Sequence, residues 1–522
     1  MQLDGEMRAS ANDRAPGYIG VMRLALAAAV AFSLYVLILG LTNPIMDMYS
    51  FRQTQTALTS YWILQGGPWI AYETPVLGAP WAIPFEFPVY QLLVSGLAVL
   101  GVPLDVAGRL ISFCFFIATL APLGLLFRSL NLQPASFYAT AILYVLSPLY
   151  LYWSRTFLIE SCALFFSVLW LALLITYMTR GAWLYAVGAA AAGSLAVLSK
   201  ATTFPAFVVV GGIGVAWMFA ARFRGGARFS HLLAQATIVC ACTATPFLLG
   251  LLWVGYSDEV KSANEFGSYL TSASLSSWNF GSVEQRLSSR LWQEIMLGRI
   301  MPDVAGRFYW LALGALAVSV VSKRYFFLVL LAVIGFFSSI MIFTNLHIVH
   351  NYYQVANGIF LVAAIGLSIG LIFNRGYIFI SFLLISLLIF GQIFFFMKTY
   401  TEIIANDRKD DQTLQIALIA KSKTDPSQSL IVLGEDWSSA VAYYSQRKTL
   451  TLPNWAPKET IERVFADPQA FLGDRPLGGI VLCGARVAGY GAAAPLVQSF
   501  VTDRTVMGEF GGCQLLSPQH AS

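Results

Sequence analysis

Residues 18–41 read YIGVMRLALAAAVAFSLYVLILGL, and this run decides the class of fold. Only one of its 24 residues, Arg23, is charged. A helix needs about 20 apolar residues to cross the roughly 30 Å of hydrocarbon in a bilayer. The whole chain agrees, because 57% of its 522 residues are hydrophobic and 11% are charged, whereas soluble domains carry about 25% charged residues. The sequence excludes a cytosolic enzyme, a disordered protein and a secreted disulfide scaffold, and it predicts an α-helical membrane protein with many spans.

Other apolar runs of similar length follow. We predict further spans at residues 107–127, 135–152, 157–178, 182–198, 203–221, 232–254, 308–321, 325–343, 355–373 and 377–397, which makes about 11 in all. One more run, 88–102, is short and begins beside Glu86 and Gln91. We interpret it as an interfacial or re-entrant helix rather than a span.

The basic residues indicate the direction of the spans. Arg8, Arg14 and Arg23 lie before or within the start of the first span, which predicts a cytoplasmic N-terminus. With eleven crossings, the basic residues of the short loops all fall on that same side: Arg128, Arg180, Arg222, Arg224, Arg228, Lys323, Arg324 and Arg375. If 88–102 crossed as well, every one of these loops would face outward, against the positive-inside rule.

The same parity places three longer segments outside. They are a first outer loop, 42–106, a large outer loop, 255–307, and a tail, 398–522. We therefore predict a catalytic transmembrane domain at 1–397 and a periplasmic domain at 398–522 of a multi-pass protein of the bacterial inner membrane.

The tail resembles a soluble α/β module in its pattern. Buried strands are predicted at 430–434, 449–452 and 479–483, and a short helix at 438–446. Two of the six cysteines of the chain, Cys483 and Cys513, lie in this tail. In an oxidising compartment they could form one disulfide, and the alternative is two reduced, buried thiols.

Polar residues collect at the predicted outer ends of the spans. A charged side chain at membrane depth costs on the order of 3 kcal/mol on the insertion scale, so each one needs a reason. The outer set is Asp47, Arg52, Gln53, Gln55, Glu73, Glu86, Arg155, Glu160, Lys200, His347, His350 and Tyr353. The inner ends carry almost only the basic residues that topology requires.

Ordinary structural roles exist for several of these residues. Asp47 could be a solvated loop residue after the helix that Pro44 stops. Arg155 and Glu160 could form a local salt bridge at a helix start, and Lys200 could extend its ammonium from a hydrophobic stem to the interface.

The two histidines of the outer set could serve either of two purposes. His347 and His350 are three apart, so they could ligate a divalent metal on a helix face together with a distant carboxylate such as Asp47 or Glu86. No third histidine is near, and hydrogen bonding or charge pairing with a phosphate is the alternative that we favour. No metal ligand is therefore assigned, and no cofactor is certain.

This combination of residues suits a lipid-linked phosphate. Cations would bind the anionic head, and the apolar bundle would accommodate the isoprenoid tail. A carboxylate could then act as general base on an acceptor hydroxyl while the cations stabilise the departing phosphate. The sequence thus predicts glycosyl transfer from a polyprenyl-phosphate sugar.

Several motifs, in their order along the chain, resemble those of the GT-C membrane glycosyltransferases. Within that group the chain is similar to the branch that holds protein O-mannosyltransferases and lipid A aminoarabinose transferases. The motifs are Asp47 in the first outer loop, Glu86-Phe-Pro-Val-Tyr-Gln, Ser147-Pro with Ser154-Arg-Thr and Glu160, Leu198-Ser-Lys200, and His350-Asn-Tyr-Tyr353.

The resemblance implies an inverting single displacement on a polyprenyl-phosphate sugar. It implies that Asp47 is the catalytic carboxylate, that an acidic residue belongs where Glu160 stands, and that Arg155 and Lys200 lie near the donor phosphate. Many members have a second acidic residue directly after the aspartate, whereas Met48 follows it here. That difference argues against a metal-binding loop and leaves Glu86 or Glu160 as a second acid. Arg52, Gln53, His350 and Tyr353 complete the expected donor- and acceptor-binding set.

Two other functions remain alternatives. A lipid-linked sugar flippase or transporter would place charges near the bilayer midplane and often has inverted repeats, neither of which we find. An oligosaccharide ligase would use a diphosphate-linked donor at the same face. The expected partners are a lipid-linked sugar and a lipid, glycan or protein acceptor, and no nucleic acid.

Overall fold

In the computed structural model, the protein is described over residues 17–520. Arg8 and Arg14, which contribute to the predicted orientation, lie outside the described residues. Most of the described chain is helical, and its strands are confined to a small sheet near the C-terminus.

Eight helices of residues 17–520 are long and apolar enough to cross a membrane. They are Gly17–Ile38, Leu104–Ser129, Glu160–Arg180, Phe204–Arg224, Phe229–Ser262, Lys323–Ile342, Asn351–Asn374 and Ile378–Thr399. Each coincides with a span predicted from the sequence, so the prediction of an α-helical polytopic protein is confirmed.

The other three predicted spans are shorter or bent. Residues 182–198 form the helix Trp183–Ser199, and residues 308–321 form the second half of a pair, Arg290–Ala305 and Tyr309–Val321, that bends by 88°. Counting the pair as one span gives up to nine long spans within the described part of the chain. Val89–Val99 has 11 residues, about 16 Å of helix, which is too short to cross.

Residues 135–152 are divided at a proline. The helix Pro134–Leu146 ends, and Pro148–Trp153 begins a new one, because Pro148 has no amide hydrogen to continue the ladder. The Ser147 hydroxyl at the break donates to the Val304 carbonyl at 2.8 Å. The second helix ends at Trp153, so Arg155 lies just beyond it, at one end of the bundle.

The outer loops also carry helices. In the first outer loop these are Ser50–Leu64 and Val89–Val99. The helix Phe229–Ser262 continues eight residues into the predicted large outer loop, and there the Ser257 hydroxyl donates to the Pro84 carbonyl at 2.6 Å. The large loop then contains Ser276–Phe280, Val283–Leu287, Arg290–Ile300 and Met301–Ala305.

The tail forms a mixed five-stranded sheet. Its strands are β1 Ser429–Leu433, β2 Lys448–Thr451, β3 Leu477–Cys483, β4 Arg504–Phe510 and β5 Cys513–His520, in the order β2-β1-β3-β5-β4. β1 pairs in parallel with β2 and β3, while β5 is antiparallel to both β3 and β4. The helices of the tail are Thr401–Ala405, Gln412–Lys423, Ala440–Ser445, Lys458–Ala466 and Ala494–Val501.

Three of the five strands of this sheet are predicted by the sequence. β1, β2 and β3 lie where the apolar runs predict them, whereas the hairpin of β4 and β5 was not predicted. Cys483 and Cys513 are paired neighbours on β3 and β5 and form a disulfide, with their Cα atoms 4.1 Å apart. This is the first of the two alternatives considered for these residues.

The tail packs closely against the first outer loop. Residues 75–78 of the loop run along the free edge of β2, where the Thr449 amide donates to the Pro75 carbonyl at 3.0 Å and the Thr451 amide donates to the Val76 carbonyl at 2.8 Å. Lys448 forms an ion pair with Glu73 at 2.6 Å. One hydrophobic cluster contains residues of the loop and of the tail together, including Leu77 and Leu450. The edge strand is thus covered rather than left open to association.

Candidate active site

Asp47 lies in a loop between the first long helix and the helix Ser50–Leu64. Its Oδ2 accepts a hydrogen bond from Arg155 Nη1 at 3.1 Å, and its Oδ1 accepts one from Gln53 Nε2. The Gln53 amide oxygen in turn accepts from the Phe157 amide at 2.9 Å. Gln53 therefore ties the Asp47 loop to the segment that carries Arg155, and both carboxylate oxygens of Asp47 have a fixed direction.

The pair of Asp47 and Arg155 is buried. Their side chains are 5% and 1% exposed, respectively. Arg155 Nε and Nη2 have no hydrogen-bond partner among the described residues. A buried donor without a partner costs about 1–3 kcal/mol, so two such donors on one guanidinium mark a place where an anion would be stabilised.

A second buried ion pair joins Lys200 to Glu160. Lys200 is placed by the end of the helix Trp183–Ser199, and Glu160 begins the helix Glu160–Arg180. The Lys200 ammonium also lies 4.0 Å from the centre of the Tyr353 ring and 5.0 Å from that of Tyr352, at distances typical of a cation–π contact. The second carboxylate oxygen of Glu160, Oε2, has no partner in residues 17–520.

Arg52 and Glu86 form a third pair, which is the most open of the three. Their side chains are 17% and 22% exposed. Burial lowers the pKa of Arg52, but the Glu86 carboxylate and, to a smaller extent, the nearby Tyr352, Tyr353 and Glu160 side chains outweigh it and raise that pKa above its usual value. The backbone of Glu86 is fixed by the Tyr72 hydroxyl, which donates to its carbonyl at 2.7 Å.

His350 is enclosed by aromatic rings. Its imidazole stacks on Tyr352 and Tyr353 at centroid distances of 5.2 and 5.8 Å, and the Tyr49 ring meets it edge-on at 5.4 Å. Burial and the nearby charges of Lys200 and Arg52 lower the pKa of His350 to about 4. The ring is therefore neutral near pH 7 and can contribute a hydrogen bond or a packing surface, but not a charge.

All the site residues predicted from the sequence lie together at one end of the bundle. They form three ion pairs: Asp47 with Arg155, Glu86 with Arg52, and Glu160 with Lys200. Gln53 is next to Arg52 on the same helix, and Tyr353 and His350 adjoin Lys200. The local salt bridge considered for Arg155 and Glu160 is not formed, since each residue pairs with a partner from another segment.

A divalent metal does not fit these residues well. His347 belongs to the helix Thr344–Val349, but His350 follows it in extended backbone, so the two do not share a helix face. Each of the three carboxylates already faces a cation. Over residues 17–520, the one group of three close metal-ligating side chains is Glu435, Cys483 and Cys513 in the tail, where the two cysteines are already bonded to each other.

Arg109 is a buried residue beside the site that the sequence pattern did not single out. It is 1% exposed, and its guanidinium donates to the carbonyls of Leu41 at 2.8 Å and of Asn43, just before the Asp47 loop. Arg109 lies inside a predicted span, so the signal that could have found it was an arginine at membrane depth. The aromatic residues Tyr49 and Tyr152 were also missed, because nothing in the sequence shows which rings of an aromatic-rich chain meet.

Comparisons of sequence identify no relative of this chain. No protein-family model matches it, and no curated protein matches it.

Solved structures, in contrast, match almost the whole chain. ArnT from Cupriavidus metallidurans bound to undecaprenyl phosphate aligns with a TM-score of 0.62 and 12% identity over 97% of this chain and 98% of that chain. The apo state of the same protein aligns with a TM-score of 0.60 and 12% identity over 94% of this chain and 97% of that chain. The archaeal oligosaccharyltransferase AglB from Archaeoglobus fulgidus, in complex with an inhibitory peptide and a dolichol-phosphate, aligns with a TM-score of 0.54 and 12% identity over 94% of this chain and 74% of that chain. The chain has the GT-C fold, as its motifs suggested.

Proposed function

We propose that this chain is an inverting glycosyltransferase that transfers a sugar from a polyprenyl-phosphate donor to an acceptor hydroxyl. The observation that carries the proposal is the buried Arg155, which donates to Asp47 from one nitrogen and has two further donors without a partner in residues 17–520. A carboxylate that can act as base and an anion-binding group thus lie side by side and largely buried, an arrangement that suits a transfer with a phosphate leaving group.

The reaction follows from these two roles. The Asp47 carboxylate accepts the proton of the acceptor hydroxyl as the oxygen attacks the anomeric carbon. The bond between that carbon and the phosphate oxygen breaks, and its electron pair leaves with the polyprenyl phosphate. Because attack and departure are on opposite faces of the carbon, one displacement inverts its configuration. No covalent enzyme intermediate is needed, since the phosphate is a good leaving group.

Arg155 and Lys200 stabilise the charge that grows on the phosphate. The Arg155 donors Nε and Nη2 can donate hydrogen bonds to two oxygens of that phosphate. Lys200 is oriented by Glu160 and by the ring of Tyr353, so that its ammonium is placed before substrate binds. Such preorganised groups stabilise a transition state without a cost of reorganisation during the reaction.

Arg52 and Glu86 occupy the more exposed side of the site. Phe51 and Phe85, each next to one of them in sequence, meet the ring of Trp437 in the tail at centroid distances of 4.7 and 6.3 Å. This wall of rings and charges is the side from which we expect the acceptor to enter. His350, neutral and stacked on Tyr353, supports the rings that face Lys200.

The structural neighbours support the choice of donor class. ArnT was solved with undecaprenyl phosphate and AglB with a dolichol-phosphate, and both are isoprenoid phosphates. We extend this class of ligand to the present chain on the strength of the shared fold and of Arg155. The bacterial inner membrane, a cytoplasmic N-terminus and a periplasmic domain at 398–522 belong to the same proposal, and the positive-inside distribution of basic residues supports them.

The test is to incubate the purified full-length protein with polyprenyl-phosphate sugars and a detergent extract of membranes as the source of acceptor, and to measure the release of polyprenyl phosphate. A parallel series uses diphosphate-linked sugars and measures the release of polyprenyl diphosphate. Release from monophosphate donors only is expected. Release from diphosphate donors only would replace the proposal by an oligosaccharide ligase. If the protein moved intact donor across the membrane of a vesicle without release of its sugar, the proposed function would be replaced by that of a transporter.

A further inference from the structure

The loop that carries Asp47 is held by side chains rather than by secondary structure. The Arg109 guanidinium donates hydrogen bonds to the carbonyls of Leu41 and Asn43. On the other side of Asp47, the Met48 amide donates to the Tyr152 hydroxyl at 3.2 Å, and the Met48 carbonyl accepts from Gln53 at 3.0 Å. The position of the Asp47 carboxylate therefore depends on how well these side chains are placed.

One of these side chains comes from the tail. The Ile45 amide donates to the Tyr444 hydroxyl at 2.7 Å, across 399 positions of sequence. Ile45 is two residues before Asp47, and it is fully buried. Tyr444 belongs to the helix Ala440–Ser445, which follows β1.

The Tyr444 hydroxyl is itself oriented by Asp105. It donates to one oxygen of that carboxylate at 3.2 Å, and the neighbouring Tyr443 hydroxyl donates to the other oxygen. Asp105 and Arg109 are four residues apart and thus on the same face of one helix, which begins at Leu104. A single turn of this helix therefore orients two supports of the loop: Arg109 directly, and Tyr444 through Asp105.

Packing on both sides of Asp47 adds to these hydrogen bonds. Met46 forms a small hydrophobic cluster with Leu414 and Ala440 of the tail. Beyond Asp47, the Phe51 ring meets Trp437 of the tail. The tail thus contacts the chain shortly before and shortly after the carboxylate.

We propose that Tyr444 is a positioning residue, through which the C-terminal tail sets the backbone of the Asp47 loop. The inference rests on the proposed function, because it assigns a task to the tail in the transfer reaction. A consequence of this role is that the transmembrane part, without residues 398–522, is an incomplete catalyst. Tyr444 acts through Ile45 and does not itself touch the reacting atoms.

The two adjacent tyrosines provide a matched pair of variants. Tyr444→Phe and Tyr443→Phe each remove one hydroxyl from Asp105, but only Tyr444→Phe removes the acceptor of the Ile45 amide. The full-length protein is compared in detergent by turnover of a polyprenyl-phosphate sugar, by affinity for polyprenyl phosphate, and by hydrogen exchange of residues 41–49.

We expect Tyr444→Phe to lower kcat about 10- to 100-fold, since small misplacements of a reacting group are costly. Its KM, its affinity for polyprenyl phosphate and its unfolding temperature should stay near those of the unmodified protein. Exchange of residues 41–49 should be faster in Tyr444→Phe only. Tyr443→Phe should keep its turnover and its exchange.

Two results would overturn the proposal. One is an equal loss in both variants, which would assign the effect to the docking of the tail on Asp105. The other is unchanged turnover and exchange in Tyr444→Phe. If the unmodified protein released no polyprenyl phosphate at all, the proposed function would fail, whereas the exchange comparison would still report whether Tyr444 holds the loop.

Discussion

The two ends of the helical bundle use charge in different ways. At the end that carries Asp47, called the site end below, three carboxylates pair with three cations that lie largely out of solvent. At the other end, called the opposite end, the basic residues are mostly exposed, and several of them donate to backbone carbonyls. The helix Glu160–Arg180 joins the two, with Glu160 in the site and Arg180 exposed about 30 Å away.

The arginines of the opposite end close the ends of helices. Arg324 Nη2 donates to the Asn131 carbonyl at 3.2 Å, just beyond the helix Leu104–Ser129. Arg375 Nη2 donates to the Val321 carbonyl at 3.1 Å, at the end of another helix. The last carbonyls of a helix have no partner within it and carry partial negative charge, so these residues complete the fold and the topology. At the site end, by contrast, two buried donors of Arg155 have no partner among residues 17–520, which is why we propose that they bind a ligand.

The largest effect is expected for Asp47→Asn at the site end. The amide keeps the size of the carboxylate but cannot accept the acceptor proton, and loss of a general base typically costs 10²- to 10⁴-fold in rate. We therefore expect release of polyprenyl phosphate to fall by about three orders of magnitude. Affinity for polyprenyl phosphate should change little.

The control for this variant is Asp407→Asn, which neutralises an exposed aspartate paired with Lys409. It should behave as the unmodified protein. Turnover of Asp47→Asn within a few fold of normal would remove Asp47 from the role of base.

Arg155→Lys tests the unpartnered donors. Lysine keeps the positive charge near Asp47, but it has no guanidinium to bind two oxygens at once. Removing one preorganised donor from an anion-stabilising site costs about 10²- to 10³-fold in kcat, and we expect a loss in that range, together with weaker binding of polyprenyl phosphate. Full activity in Arg155→Lys would mean that charge alone matters at this position.

Lys200→Met tests the buried pair with Glu160 through stability. Breaking a buried ion pair leaves one charge without compensation and typically costs about 3–5 kcal/mol. A marked fall in the unfolding temperature is expected, and the double variant Lys200→Met with Glu160→Gln should recover most of it. Additive losses in the double variant would show that the two side chains do not stabilise each other.

The sequence predicted which charged residues lie together at the site end but not how they pair. Asp47, Arg155, Glu160 and Lys200 were chosen because charges at the ends of spans are costly, and the structure brings them together. Which acid meets which base depends on how helices far apart in sequence approach one another. Arg155 and Glu160 are close in the chain, yet each is paired with a residue from a distant segment.

The fold shows the same limit. Periodicity and hydropathy placed the long helices and β1 to β3, because these signals are local. The hairpin of β4 and β5 was not predicted, because several residues of β4 are half-exposed and its sequence pattern is only weakly apolar. The pairing of residues 75–78 with the edge of β2 joins segments almost 375 positions apart, as in the contact of Thr449 with Pro75, and no local pattern predicts it.

The smallest effect is expected for Arg324→Ala at the opposite end. Arg324 is exposed, and water can replace it at the carbonyls of Leu130 and Asn131. Substitutions of this kind usually change stability little, so turnover should stay within about two-fold and the unfolding temperature within about 2 °C of normal.

The value of Arg324→Ala lies in its contrast with Arg155→Lys. The alanine variant removes a whole charge from the opposite end, whereas the lysine variant removes no charge from the site end. If charge number governed activity, Arg324→Ala would be the more harmful of the two. We expect the reverse order, because burial and the presence of donors with no partner among residues 17–520, rather than positive charge as such, distinguish the residues that we propose to bind the phosphate from those that close a helix.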